Sequence, residues 1–411
     1  MSSNTPHESP ATQNSSQPHV PYMPLIIVCC AILMVTMGIR QSSGLFVKPL
    51  VESTGLSISI ISLAMAIGQF MWGVAQPVGG LLAERVGTRT VVAIGLSLLA
   101  MGMMLISMVQ GAIGVFATFG IFAAVGSGLA SFSVLMGAAA QQVPEGRRGF
   151  ASGLINSGSS LGQFIFAPLT QFMIGAWGWV TAAVGLGVLA LAALPLLAWV
   201  TNKTIQIGTA GAVVQERVGF GRACHSGNYQ LLHLGFFTCG FHIAFLVTHL
   251  PGEISACGLP SSLAGVSLGI IGAFNIVGSI AVGQLCQKHS MPRILGWLYL
   301  IRAIAVVVYV FSPKTEWTWY IFAAVLGASW LATVPPTAGM VGRLFGPRNL
   351  ATLFGMTMLS HQVGAFLGAY LGGLAVQYTH SYHWMWWADA ALALIAALAS
   401  FAVKMPEAKS K

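Results

Sequence analysis

The sequence predicts an all-α membrane protein with twelve transmembrane helices in two pseudo-symmetric six-helix bundles, and three observations carry that expectation. Of 411 residues, 56% are hydrophobic and only 7% charged, with a mean hydropathy of +0.80. That is too little polar surface to cover a water-soluble globule. Apolar stretches recur along the chain, each reaching the roughly 20 residues that a helix needs to cross the hydrocarbon layer. Lys and Arg collect in alternate gaps between those stretches, the distribution that arises when basic loops stay in the cytoplasm during insertion.

The spans fall near 24–48, 57–83, 90–110, 112–142, 149–174, 178–201, 229–251, 259–286, 294–312, 317–344, 350–377 and 383–404. Several exceed the bilayer thickness, so tilt is expected. The even-numbered gaps hold Arg85 and Arg89; Arg147 and Arg148; Lys203, Arg217 and Arg222; Lys288 and Arg293; and Arg343 and Arg348. Lys404, Lys409 and Lys411 follow the last span. The odd-numbered gaps hold only Lys48 and Lys314, which places both termini in the cytoplasm. Residues 1–20 are rich in Ser, Thr, Asn, Gln and Pro and lead into no short apolar core with a cleavage site, so they read as a disordered cytoplasmic tail.

The longest and most polar internal gap divides the chain into an N-terminal bundle at 21–201, a cytoplasmic linker at 202–228 and a C-terminal bundle at 229–405, with a cytoplasmic tail at 406–411. A local repeat supports duplication. Arg147-Arg148-Gly149-Phe150-Ala151-Ser152-Gly153, then Leu161-Gly162-Gln163-Phe164, has a counterpart in Arg348 through Gly355, then Val363-Gly364-Ala365-Phe366. Two six-helix halves with such a repeat are the layout of a rocking transporter with its substrate near the midplane. The 49 glycines suit close approach of helices in lipid. Gln76-Pro77 and Pro335-Pro336 mark kinks whose freed backbone groups neighbours must satisfy.

Net charge +9 would suggest nucleic acid in a soluble protein, but here anionic headgroups at one membrane face account for it. The six cysteines show no metal-ligand spacing and read as small hydrophobes. No phosphate-cradling loop, HExxH motif or Ser-His-Asp set is present, so no enzyme, metal or cofactor is expected and transport draws on gradients rather than ATP.

Two guanidinium groups lie inside spans. Arg40, about two thirds along the first, is an expensive charge in lipid and suits bidentate recognition of a carboxylate. Arg302, midway along the ninth, is expected to form a structural ion pair with Asp389 in the twelfth. His242 in the seventh span and His361 in the eleventh are candidates for substrate contact and proton coupling, since imidazole titrates near neutrality. His249, seven residues beyond His242, shares its face nearer the outer edge.

The run Gly80-Leu81-Leu82-Ala83-Glu84-Arg85-Val86-Gly87-Thr88-Arg89 resembles the cytoplasmic loop signature of the major facilitator superfamily, with Glu84 for the usual Asp and Thr88 for a basic residue. A weaker echo runs from Gly283 to Arg293. Gly38 through Leu50, Cys239-Gly240-Phe241-His242 through Pro251, and Ser360-His361-Gln362-Val363-Gly364-Ala365-Phe366 resemble the bacterial branch related to monocarboxylate transporters and oxalate/formate exchangers. The resemblance implies the major facilitator fold, alternating access, and a cavity lined by the first, fourth, seventh and tenth spans. On that basis Gln41, Ser127, Ser131, Trp330 and Thr333 join Arg40, His242 and His361 as substrate-binding candidates, and Gly80, Glu84, Arg85, Gly87 and Arg89 form a gating loop. The acidic-glycine opening of many animal carriers is missing and the eighth and eleventh spans carry no cation, which points away from simple monocarboxylates such as lactate.

The expectation is thus a monomeric secondary carrier of a small organic anion, a carboxylate, in a bacterial inner membrane, with a proton as candidate co-substrate. Two alternatives stay open: a carrier of bulkier compounds such as drugs or siderophores with Arg40 as a structural cation, and a membrane sensor that binds without translocating.

Overall fold

The computed structural model describes residues 22–109, 111–140, 142–143, 148–200 and 223–405. The expected tails, most of the expected linker, and Arg147 lie outside the described residues. Among the described residues twelve helices follow in chain order. Helix α1, Tyr22–Gln41, continues through a 3-10 turn, Ser43–Phe46, into Val47–Thr54. Helices α2 and α3 are Ile58–Val86 and Thr88–Leu105. Helix α4 is assembled from Ala112–Val115, a π-helical Phe116–Ala123, Ala124–Leu129 and Phe132–Ala140. Arg148–Ala192 is one helical stretch bent at Gly178, which separates α5 from α6. Then come α7 (Gly227–Ala256), α8 (Ser262–Lys288) and α9 (Met291–Phe311). Helix α10 is split into Glu316–Ser329, a 3-10 turn Leu331–Thr333, and Val334–Phe345; α11 and α12 are Pro347–Thr379 and His383–Ala402.

Among the described residues ten stretches are long and apolar enough to cross a membrane. One of them, Ala151–Trp199, holds both α5 and α6, and α11 is not among the ten because His361 and Gln362 interrupt its apolar run near the middle. The tight reversals at α2/α3, α5/α6 and α10/α11 each turn on a glycine, Gly87, Gly178 and Gly346, with φ of 87°, 82° and 82°. With ψ near 150–160° this is a conformation that a Cβ essentially forbids.

Within the first half α1 packs along α5; within the second, α7 packs along α11 and α9 along α12. The halves meet along α5–α8 and α2–α11. Missing side chains make these crossings close: a Cβ on Gly272 would sit 2.6 Å from the Phe164 nitrogen and 2.8 Å from the Ser160 carbonyl oxygen. Gly73 is filled by the Gln362 side chain and Gly373 by Ser62. Lys48 Nζ donates to Ser255 Oγ at 3.2 Å across the same end of the molecule. At the opposite end, beside the basic loops, a Cβ on Gly80, Gly153, Gly283 or Gly355 would meet nothing within 4 Å. Among the described residues the contacts that join the halves lie at mid-length and at the end away from the basic loops, where Lys48 meets Ser255 and Gly373 meets Ser62, so the halves are parted toward those loops and the space between them opens there.

Candidate functional site

The helix of α1 gives way to a 3-10 turn just past Arg40, and the side chain of Arg40 turns onto α2. Its guanidinium lies 3.9 Å above the Trp72 ring and its Nη2 donates to Gln69 Oε1. Residues 69 and 72 are three apart, hence on one helix face. A cavity of about 40 Å³ adjoins the guanidinium, lined by Ile39 and Ser43 of α1 and the turn that continues it, Met65 and Gly68 of α2, Leu99 of α3, and Phe119 and Ala123 of α4. Phe119 and Ala123 come from the π-helical part of α4, an irregularity often found at functional sites. Among the described residues Arg40 has no carboxylate within ion-pairing distance. Gln69 and Trp72 are absent from the sequence-based candidates, although a Gln inside an apolar span one turn from a Trp was a readable signal.

The other first-half candidates turn away from that cavity. Gln41 is buried and donates through Nε2 to the carbonyl and hydroxyl oxygens of Ser159 on α5, at 3.3 and 3.4 Å. Ser127 donates to Ala124 of its own helix at 3.0 Å, and the Ser131 and Ser133 hydroxyls pair at 3.0 Å. These are contacts that tie helices or relieve backbone groups.

Two helices are broken near mid-length, and each break is tied by a neighbour. In α4 the Ala130 carbonyl, left free where the helix is interrupted, accepts from Thr36 Oγ1 on α1 at 3.3 Å. In α10 the interruption at 330–333 receives more help. Arg302 Nη2 donates to the Ser329 carbonyl at 2.7 Å, Asn275 Oδ1 accepts the Leu331 N–H at 3.0 Å, and Thr333 donates back to the Trp330 carbonyl at 3.1 Å. Irregular backbone inside lipid persists only where such partners exist.

This arrangement corrects the expected ion pair. Arg302 is fully buried, but it caps the broken helix instead of pairing directly with Asp389. Asp389 Oδ2 instead meets His242 Nδ1 at 2.5 Å, both residues being at most 1% exposed. The competing principle is local: carbonyls freed by the α10 break lie closer to the guanidinium than the carboxylate of α12 does. Trp330 stands edge-on to the His242 ring at 6.4 Å, and Cys239 Sγ lies 3.6 Å from Thr333 Oγ1. His242, Trp330 and Thr333 are therefore brought together, inside the second half and sealed from solvent. His361 is half-buried beside Phe236 and within hydrogen-bonding reach of Cys239.

In the loop signature, Gly87 makes the α2/α3 reversal and Arg85 is exposed. Arg89 donates to the carbonyls of Ala198 and Val200, both at 3.0 Å, which ties the start of α3 to the end of the first half's last helix. Gly80 stands at the parted end, and the Glu84 side chain lies outside the described residues.

The family profile described as Major Facilitator Superfamily matches residues 26–330 and 288–411. Monocarboxylate transporter 13 of Rattus norvegicus is 25% identical over 358 residues, covering 84% of this chain and 80% of that protein. The oxalate:formate antiporter of Oxalobacter formigenes is 21% identical over 351 residues, covering 84% and 83%. The crystal structure of a D-xylose-proton symporter superposes with a TM-score of 0.76 at 16% identity, covering 96% of this chain and 99% of the other.

Proposed function

This chain belongs to the major facilitator superfamily and is a secondary transporter, not an enzyme, and we propose that its cargo is a small organic anion bearing a carboxylate, held by Arg40. One observation carries the reading: a guanidinium inside the membrane is held by Gln69 and Trp72, both neutral, at the edge of a cavity. Such a charge costs a few kcal/mol or more in the bilayer unless something compensates it. Gln69 engages one N–H and Trp72 one face of the cation, and neither cancels the charge. A carboxylate would cancel it while accepting two parallel hydrogen bonds from the remaining donors. Relatives named for monocarboxylates and for oxalate and formate support an anionic cargo.

The physics of translocation follows from the packing. The crossings at Gly272 and Gly73 are contacts between backbone and short or flexible side chains, surfaces over which one half can rock against the other. We assign the protein, as a monomer, to the bacterial cytoplasmic membrane with the basic loops and both termini inside, on the charge bias of those loops. The parted end then faces the cytoplasm, and this conformation exchanges cargo with that compartment.

The test is uptake and counterflow of labelled mono- and dicarboxylates by the purified protein in liposomes. Arg40→Ala is expected to lose carboxylate transport and Arg40→Lys to retain part of it, with both variants still unfolding as cooperatively folded proteins. Transport by Arg40→Ala at the wild-type rate would remove Arg40 from the site.

A further inference from the structure

The second half encloses three ionisable side chains, from three different helices, that the anion site does not use. His242 on α7 and Asp389 on α12 meet at 2.5 Å, and Arg302 on α9 lies beside them with its Nη2 committed to the α10 break. All are at most 1% exposed. His242 Nε2, Asp389 Oδ1, and Arg302 Nε and Nη1 have no hydrogen-bond partner among the described residues. A purely structural cluster would be expected to satisfy these atoms, because each unsatisfied polar group costs stability in a low-dielectric interior. His249, two turns further along α7, is built differently: its Nε2 faces the Ala369 carbonyl at 2.7 Å and its Nδ1 the Tyr382 hydroxyl at 3.4 Å.

We propose that the His242–Asp389 pair is a proton-binding site coupled to the anion site, with Arg302 fixing its resting charge. The anion half of that coupling rests on the function proposed above; the proton site does not. With His242 neutral, its Nδ1–H donates to the Asp389 carboxylate, and the charges of Asp389 and Arg302 sum to zero. One proton from solvent adds to the bare Nε2 lone pair, giving an imidazolium–carboxylate pair and raising the cluster to +1. In a low-dielectric interior that extra charge is unfavourable by itself and becomes favourable when an anion occupies the cavity. Proton and anion therefore each strengthen the other's binding, by reciprocal linkage.

The groups facing the pair are consistent with one exchangeable proton. Helix α9 presents Arg302 and Tyr299, whose hydroxyl is occupied as a donor to the Gly235 carbonyl at 2.6 Å. Helix α7 adds Cys239, one turn before His242, and α11 adds half-buried His361 beside that thiol. From α10 come Trp330 and Thr333 and from α8 Asn275, none of which titrates. Asp389 is thus the carboxylate in contact with the imidazole, and His361–Cys239 is the polar approach to it from the less buried side.

Trp330 supplies a readout that needs no cargo, since an imidazolium quenches a neighbouring indole. In purified full-length protein carrying Trp387→Phe, which removes the indole that lies on exposed His383, tryptophan emission should titrate between about pH 5 and 8. The titration should vanish in Trp330→Phe and His242→Gln and move down by about one unit or more in Asp389→Asn, where the carboxylate no longer favours the charged ring. In liposomes, the ratio of pH-gradient-driven carboxylate accumulation to carboxylate exchange should fall roughly tenfold or more in Asp389→Asn. A wild-type titration that His242→Gln leaves intact, no titration at all, or an unchanged accumulation ratio in Asp389→Asn would overturn the proposal. Wild-type protein that titrates through His242 but exchanges no carboxylate would sink the anion reading and leave the proton site standing.

Discussion

Gly44, in the 3-10 turn that follows α1, lies flush against the carbonyl of Val247 on α7, with no room between them for a Cβ. It is among the contacts that close one end of the molecule, together with Gly373 on Ser62 and Lys48 on Ser255. Gly44 does not have positive φ, so a larger residue there acts through space and not through backbone strain.

Gly44→Val should push the closed end apart. Overpacking of this kind costs about 1–3 kcal/mol, enough to shift a two-state balance roughly tenfold. Nitroxides on Leu81→Cys and Leu285→Cys, exposed positions at the parted ends of α2 and α8, report the change in a background without native cysteines. Their separation should shorten in Gly44→Val as the halves rock the other way. An identical distance distribution in both proteins would mean that the Gly44 contact does not govern the equilibrium.

Arg302 should matter for stability before it matters for transport. Arg302→Met leaves the Ser329 carbonyl without its donor and Asp389 without the nearby cation, a combined loss of about 3–5 kcal/mol. Arg302→Lys keeps the charge and can reach one carbonyl, so it should fall between. Asn275→Leu strips the Leu331 N–H of its acceptor, at about 1–3 kcal/mol. Thermal unfolding in detergent should rank wild type above Arg302→Lys above Arg302→Met; equal midpoints would remove Arg302 as the clamp of the α10 break.

Hydropathy and the sidedness of Lys and Arg were enough to read twelve helices and two halves, because lipid imposes those constraints on every span independently of its neighbours. Partner choice was not readable. Arg302 and Asp389 are opposite charges buried in the same half, yet which of them His242 meets depends on the rotation of three helices and on a break in α10 whose freed carbonyls bid for the guanidinium. Gln41 fails as a cavity residue for a related reason: it adjoins Arg40 in sequence but points about 100° away around the helix, onto α5. Cys239 reads as a small hydrophobe by composition, and only the fold sets its thiol between Thr333 and His361.

Gln69 offers the sharpest test of whether the unpaired charge of Arg40 is what attracts cargo. In the native protein Gln69 Oε1 accepts from Arg40 without neutralising it. Gln69→Glu puts a carboxylate of nearly the same shape in that place, so Arg40 acquires a permanent internal counterion. Two effects then point the same way: the variant should unfold at higher temperature, because a buried charge has gained its partner, and carboxylate binding should weaken at least thirtyfold or so, because cargo must now displace that partner. Trp72→Leu acts oppositely on the site, removing a cation–π contact worth about 1–2 kcal/mol and freeing the guanidinium to swing, so affinity should drop roughly tenfold with no gain in stability. Counterflow Kd values and unfolding midpoints for both variants decide the matter. If Gln69→Glu carries carboxylates as well as the wild type does, the guanidinium is a structural cation and cargo is recognised elsewhere.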